Sequence, residues 1–371
     1  MQEQHPERAK LFAQWKGIKG PLLQDPVNYL HAKAVPVFVA IDENGYVRDT
    51  KPELKTFVES FVKKEFPGEP AFIPPNTEEP PNTRVTRRMA DEARTAETSV
   101  DHGEALVLAG ELAQIEEAIE NYGAAVEMDP KNARAYFGLG VAYRMRYESE
   151  KRLPGDFQAA IDAWTRALEL APNNYIYRRR LQQYGPRLDK PYAFYDWIET
   201  ARKEIRKRGE EPLPLRHEPI GAELGDRESR RDSDASAKGD PKGKIKRDKK
   251  KLIEIEPVVV HSTDKSQKNE YEVHLTFRPS GETGGHWNNE AEPLRVWLRA
   301  SKGAKVSPAM IEWPNAESAT SDEVRTLSFA VTRSEKSRKS ATIRGYALYN
   351  VCEGREGKCL FRRQDFRVKI K

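Results

Sequence analysis

Two turn signals of one kind bracket the most constrained stretch of this chain. The first is Asp129-Pro130-Lys131-Asn132 and the second is Ala171-Pro172-Asn173-Asn174. Proline cannot continue a helix and biases the residue before it away from helical geometry. Between the signals, Tyr136, Leu139, Gly140 and Tyr143 fall at i, i+3, i+4, i+7, the spacing of one buried helix stripe. A second stripe follows Pro154-Gly155: Phe157, Ala160, Ile161, Trp164, Ala167 and Leu168. Small residues at Gly140, Ala160 and Ala167 let two such helices approach closely and pack antiparallel.

These positions resemble a tetratricopeptide repeat, whose usual period is about 34 residues. Pro130 to Pro172 is longer, and the excess falls between the helices, around 147–153. Upstream, Ala118, Tyr122, Ala125, Val126 and Pro130 repeat the pattern of Ala160, Trp164, Ala167, Leu168 and Pro172. The first helix of that earlier copy, over 105–112, fits less well. Tyr175, Tyr177, Leu181 and Tyr184 predict one more helix, stopped by Gly185-Pro186. The resemblance implies a helical stack that binds other proteins. It makes Tyr136, Leu139, Gly140, Tyr143, Ala160, Trp164, Ala167 and Pro172 packing positions. Aromatics crowd 191–198, and a basic helix follows to Gly209. Such aromatics either cap the open end of a stack or anchor a partner.

Length and composition bound the rest. A chain of 371 residues makes two or three domains. With 37% hydrophobic and 33% charged residues, part of it must be linker that buries nothing. No apolar run reaches the roughly 18 residues a membrane span needs. Met1 to His5 lacks the apolar core of a secretory signal.

Residues 8–66 mix helix and strand signals. The run 34–41 suits a buried strand, Asp42-Glu43-Asn44-Gly45 suits a hairpin turn, and 46–48 would return. Leu54, Phe57, Val58, Phe61 and Val62 predict a helix within 52–66. This order looks like the second half of a thioredoxin-like domain, and Pro36 matches that family's cis-proline. A cis X-Pro bond costs only about 0.5–1 kcal/mol. No cysteine precedes Cys352, so this part has no dithiol chemistry, and the chain reads as one that starts inside a domain. The segment 67–103 is a Pro-rich linker, with Pro74-Pro75 and Pro80-Pro81. The helical domain then covers 104–209.

Periodicity vanishes over 210–251, which ends in a lysine-rich block from Lys242 to Lys251. No aromatic is interleaved there for base stacking, so a disordered basic linker is expected and nucleic acid is not. From Leu252 the pattern becomes short strands, among them a period-two run over 271–277. An antiparallel β-sandwich of immunoglobulin-like type over 252–371 is expected. Its last two strands flank a polar loop and carry the only cysteines, Cys352 and Cys359. Hairpin arms lie roughly 5 Å apart, within range of a disulfide. Two thiolates are not four metal ligands, and His261, His274 and His286 show no ligand spacing. No phosphate loop, dinucleotide fingerprint or catalytic triad is visible, and no cofactor is expected.

A sandwich that ends in Tyr349-Asn350-Val351-Cys352, a short loop, Cys359 and a charged strand is similar to the amino-terminal periplasmic domain of the DsbD family. The resemblance implies that Cys352 and Cys359 form a redox pair serving a thioredoxin-like partner, shielded by an aromatic such as Trp287 or Trp313. It also implies a periplasmic or other extracytoplasmic setting. Taken together, the chain reads as a multidomain α+β protein-interaction scaffold related to redoxins, with thiol–disulfide exchange at Cys352/Cys359. The alternatives are an active thiol–disulfide oxidoreductase and a structural protein with a fixed disulfide.

Overall fold

The computed structural model describes residues 6–20, 22, 25–29, 38–68, 94–110, 112–186, 197–215, 239–264, 267–334, 340–354 and 357–370. The helices are α1 (Pro6–Lys16), α2 (Ala96–Ala109), α3 (Ile115–Met128), α4 (Ala133–Tyr147), α5 (Asp156–Leu170), α6 (Tyr175–Gln182) and α7 (Ile198–Lys207). Both turn signals start helices as well as stop them. Asn132 Oδ1 accepts from Ala135 N at 2.9 Å and caps α4. Asn174 Oδ1 accepts from Ile176 N at 3.0 Å and Tyr177 N at 3.3 Å and caps α6. Each cap satisfies amide donors that have no carbonyl partner within the helix. Thr95 and Thr98 form a reciprocal box at the start of α2, and Gly110, with φ of 74°, ends it.

The stripe on α5 is buried over Phe157, Ala160, Ile161, Trp164 and Ala167, while its last member, Leu168, is partly buried against the same core. On α4 the expected stripe is displaced. Tyr136, Leu139 and Tyr143 are only partly buried, while Ala135, Phe137, Gly138, Gly140, Val141 and Ala142 are buried. The reason is that α4 is covered on several sides. Phe137 stacks on Tyr177 of α6 with ring centres 4.5 Å apart. Gly138 faces the Tyr122 ring of α3, and Gly140 faces the Trp164 indole of α5. A helix surrounded by others loses its one-sided pattern.

At the N-terminal side, β1 (Ala40–Ile41) and β2 (Val47–Asp49) pair around the expected turn. Asp42 Oδ1 accepts from Asn44 N and Tyr46 N, each at 2.9 Å, and Gly45 supplies φ of 87°. The helix expected over 52–66 is reduced to a π turn at Val58–Val62. Leu54, Val58 and Val62 are exposed, so the stripe has no surface to pay for helix nucleation. Pro36 lies outside the described residues.

The C-terminal part is two antiparallel sheets around one core. The first has the order β3 (Ile253–His261), β4 (Glu270–Pro279), β10 (Arg325–Arg333), β7 (Ala304–Ser307). The second has the order β8 (Met310–Trp313), β6 (Leu294–Ala300), β11 (Ala341–Glu353), β5 (Gly285–Asn288), β9 (Thr320–Ser321), with β12 (Cys359–Ile370) also paired to β11. Val273, Leu275, Phe277, Leu327 and Phe329 meet Val296, Ile343, Ala347 and Val351 between the sheets.

Strand β4 departs from simple alternation, because its residues 271–277 are all buried. Its second face, with Glu272, His274 and Thr276, lies under the helices. There Val258 and Val260 of β3 join the helical core. His274 Nε2 donates to the Tyr184 carbonyl at 2.6 Å, since a carbonyl can only accept. Ser328 Oγ lies 2.8 Å from Nδ1.

The lengthened turn between α4 and α5 is part of this contact. Arg152 pairs with Glu254 at 3.2 Å and Glu256 at 3.3 Å, and Gly155 N donates to Glu256 at 3.0 Å. Gln158 bonds both main-chain groups of Val259, accepting from its N at 2.9 Å and donating to its O at 3.3 Å. It thereby covers part of the β3 edge, which would otherwise present unpaired amides.

The end of the segment read as linker also joins the fold. Asp240 pairs with Arg363 at 3.1 Å, and Asp248 accepts from the Tyr349 hydroxyl at 2.9 Å. Residues 239–248 therefore form a strap on the second sheet.

Candidate functional site: the groove over α2, α4 and α6

Because α5 and the α4–α5 turn face the sheet, a different helical surface is left for partners. It is formed by α2, α4 and α6, which together with Val27, Asn28 and Tyr29 line a cavity of about 760 Å³. Glu104 contributes from α2, Arg134 and Phe137 from α4, and Tyr175 and Tyr177 from α6.

An ion cluster fixes the rim. Arg134 donates to both Glu104 oxygens, at 2.7 and 2.5 Å, and pairs with Asp101 at 2.7 Å. The hydrogen bonds to Glu104 outweigh partial burial and hold the Arg134 pKa above its ordinary value. A bidentate pair of this kind is rigid as well as strong. The floor is aromatic. Burial pushes the Tyr177 phenol up, so it stays a neutral donor. Arg180 lies over the rings of Phe137 and Trp164, at 5.3 and 5.1 Å.

A piece of this chain packs against these helices and forms one wall of the groove. Asp25, Pro26, Val27 and Asn28 make a tight turn, with Asn28 N donating to Asp25 O at 3.3 Å and Tyr29 N donating to Asp25 Oδ1 at 2.6 Å. Asn28 takes φ of 59°, which asparagine tolerates better than most residues. The Pro26 carbonyl accepts from Arg180 at 2.7 Å, and Val27 is 9% exposed within the helical core. The helices thus hold one carbonyl and one apolar side chain of a tight turn. Asp25-Pro26-Val27-Asn28 is legible as a turn, but its seat is not, because nothing local specifies a contact with Arg180.

The other residues singled out from sequence fall elsewhere. Gly140, Ala160, Trp164 and Ala167 are interior packing positions, Trp164 Nε1 donating to the Phe137 carbonyl at 3.2 Å. Pro172 is exposed in the turn before α6. Of the aromatic cluster, Trp197 is described. It stacks on Trp15 of α1 at 5.8 Å and meets Phe12 edge-on at 5.3 Å, joining α1 to α7.

Cys352 and Cys359 face each other across β11 and β12 and are joined by a disulfide. Cys352 is 2% exposed, whereas Cys359 is exposed. Trp287 pairs with Val351 and points into the sandwich core, so it lies on the opposite sheet face from the disulfide. Trp313 packs at the margin of that core. Among the described residues no group of three or more His, Cys, Asp or Glu is gathered to hold a metal. No helix among them is long and apolar enough to cross a membrane.

Comparison with known families agrees with the helical geometry. The model for the TPR repeat matches residues 111–145, which span α3 and most of α4. The helical part therefore carries a tetratricopeptide repeat, and such repeats are scaffolds for protein partners. Among solved structures, the chain is similar to the GAE domain of GGA2p from Saccharomyces cerevisiae, at 12% identity over 32% of this chain and 90% of that one, with a TM-score of 0.20. It is also similar to the yeast GGA1 GAE domain, at 12% identity over 32% of this chain and 92% of that one, with a TM-score of 0.19. Similarity at these scores carries no argument.

Proposed function

We propose that this protein is an interaction scaffold whose groove over α2, α4 and α6 takes a short turn-forming segment of a partner protein. The observation that carries this is the seating of Pro26 and Val27 against Arg180 and the helical core. The sheet pair serves as the rigid body on which the repeats are mounted, since helices and strands share one buried cluster. The chain's own turn then acts as a resident occupant that a partner must displace. A tethered segment competes at an effective concentration in the millimolar range.

The test uses a labelled peptide spanning residues 22–31, titrated by fluorescence anisotropy. Val27→Asp expels the resident segment. The peptide is expected to bind that variant at least about tenfold more tightly than the intact chain. Absence of binding to both chains would overturn the proposal.

A second reading, thiol–disulfide exchange at the cysteine pair, has the exposure of Cys359 in its favour. An incoming thiolate would attack Cys359 Sγ, form a mixed disulfide there and expel the Cys352 thiolate. Cys352 is buried, which disfavours a charged leaving sulfur. That burial supports a fixed staple over an exchanging pair. Cys352→Ser leaves Cys359 free to trap a thioredoxin-like protein as a mixed disulfide, and failure to trap one would remove this reading. The thioredoxin-like reading of 1–66, the DsbD-like reading of the sheets and an extracytoplasmic setting rest on residue order alone.

A further inference from the structure

The outer face of the second sheet carries an unusual row. Arg299 of β6 stands opposite Arg344 of β11, and Arg344 stands opposite Arg367 of β12. All three are exposed. Like charges directly opposite on a sheet destabilise it, and strands only about 4.8 Å apart keep them close.

Other arginines on this face are neutralised. Arg295 pairs with Glu312 at 2.6 Å and Glu292 at 3.1 Å. Arg363 pairs with Asp240 at 3.1 Å and Asp365 at 2.7 Å, and Arg247 pairs with Asp365 at 2.8 Å. Among the described residues, no carboxylate pairs with Arg299, Arg344 or Arg367. Beside them lies a cleft of about 510 Å³ between Arg247, Arg344, Asp365 and Arg367.

The main chain of β12 supplies a second, independent observation. Lys246 and Asp248 of the strap pair with its outer edge at Arg363. Arg363 N donates to Lys246 O at 3.0 Å, and Asp248 N donates to Arg363 O at 2.9 Å. Main-chain direction alternates along a strand, so the amides and carbonyls of Asp365, Arg367 and Lys369 point the same way as those of Arg363. No described residue bonds them. Among the described residues, the edge accepts one short extended segment and then continues bare, next to three uncompensated cations.

We propose that the β12 edge over 365–369 takes an acidic, extended peptide segment of a partner protein by strand addition. Acidic side chains at i and i+2 of the incoming strand would stand opposite Arg367 and Lys369 and complete the row. The bare edge selects a peptide over a nucleic acid or an anionic membrane, because only a peptide offers alternating N–H and C=O groups.

The test titrates the full chain with a labelled hexapeptide carrying glutamate at alternate positions, followed by anisotropy. Arg367→Glu and Arg344→Glu are each expected to weaken binding about tenfold or more, with circular dichroism unchanged. The same peptide, N-methylated at alternate residues, keeps its charge but loses its edge donors. It is expected to bind at least about tenfold more weakly, the equivalent of about 1.4 kcal/mol. Equal binding of the methylated peptide would overturn strand addition. Full competition by an oligodeoxythymidylate or by anionic phosphatidylserine vesicles would also overturn it, by showing that the face reads charge alone.

Discussion

Two arginines of α4 and the row Arg299, Arg344 and Arg367 on the outer sheet face carry the same charge to opposite ends. Arg144 is buried, paired with Glu148 at 2.6 Å and stacked on Phe157, Tyr147 and Tyr184. Burial works against its charge, but Tyr184, Glu148 and Tyr147 outweigh it and hold its pKa up. Arg146 pairs with Asp156 at 2.6 Å and Glu116 at 2.7 Å. These residues hold helices together. Arg299, Arg344 and Arg367 are exposed and crowd one another. A cation used for architecture is compensated inside the fold, whereas this row is uncompensated among the described residues and lies exposed.

Breaking the buried side of this contrast has the largest effect. Asp156→Ala leaves the Arg146 guanidinium with Glu116 alone and also removes the acceptor of Leu153 N, so stability falls by about 3 kcal/mol in urea unfolding. Recovery in the double variant Arg146→Met with Asp156→Leu would show that stranded charge, not lost attraction, was the cause. Replacing both Cys352 and Cys359 by serine costs about 2–3 kcal/mol, a modest effect because the enclosed loop is short. Gly140→Ala places a methyl carbon 2.4 Å from the Trp164 ring and costs about 1–3 kcal/mol, with a shift in tryptophan emission. On the exposed side the sign reverses. Arg344→Thr relieves repulsion and stabilises by about 0.5 kcal/mol in the same assay.

The smallest effect is that of acid on the strap. Burial raises the Asp240 pKa, but the Ile245 and Lys244 amides and Arg363 outweigh it and hold it below the ordinary 3.8. Asp365 is lowered in the same sense, burial being outweighed by Arg363 and Arg247. A carboxyl with a depressed folded pKa gives stability that is complete above its unfolded value and lost as pH falls through the folded one. The strap should therefore hold from about pH 8 to pH 5 and loosen only below 3.8. Trp297, against Gly239, is the reporter, and loosening near neutral pH would contradict the assignment.

Much of the helical part was legible because its signals are local. Asn132 and Asn174 are caps wherever their neighbours lie, and the α5 stripe faces one way because one large surface buries it. The α4 stripe misled, because four other helices surround that helix and no single face is its core face. The run 271–277 misled for a related reason, its polar alternates being covered by helices rather than water. The candidate groove was legible only as a repeat. Its occupant, Val27, lies far from Arg180 along the chain.

Sequence by itself determined where α4 and α6 begin, that the chain is mixed α and β, and that its only cysteines sit on two arms of one hairpin. Caps, turns and periodicity act within a few residues, so these need no knowledge of the rest. Only the tertiary structure decided that the long α4–α5 turn grips β3, that the turn at 25–29 forms one wall of the groove, and that three arginines stand in one row. Those contacts join residues distant in the chain. They arise when burial of both cores sets the relative positions of elements that no local signal relates.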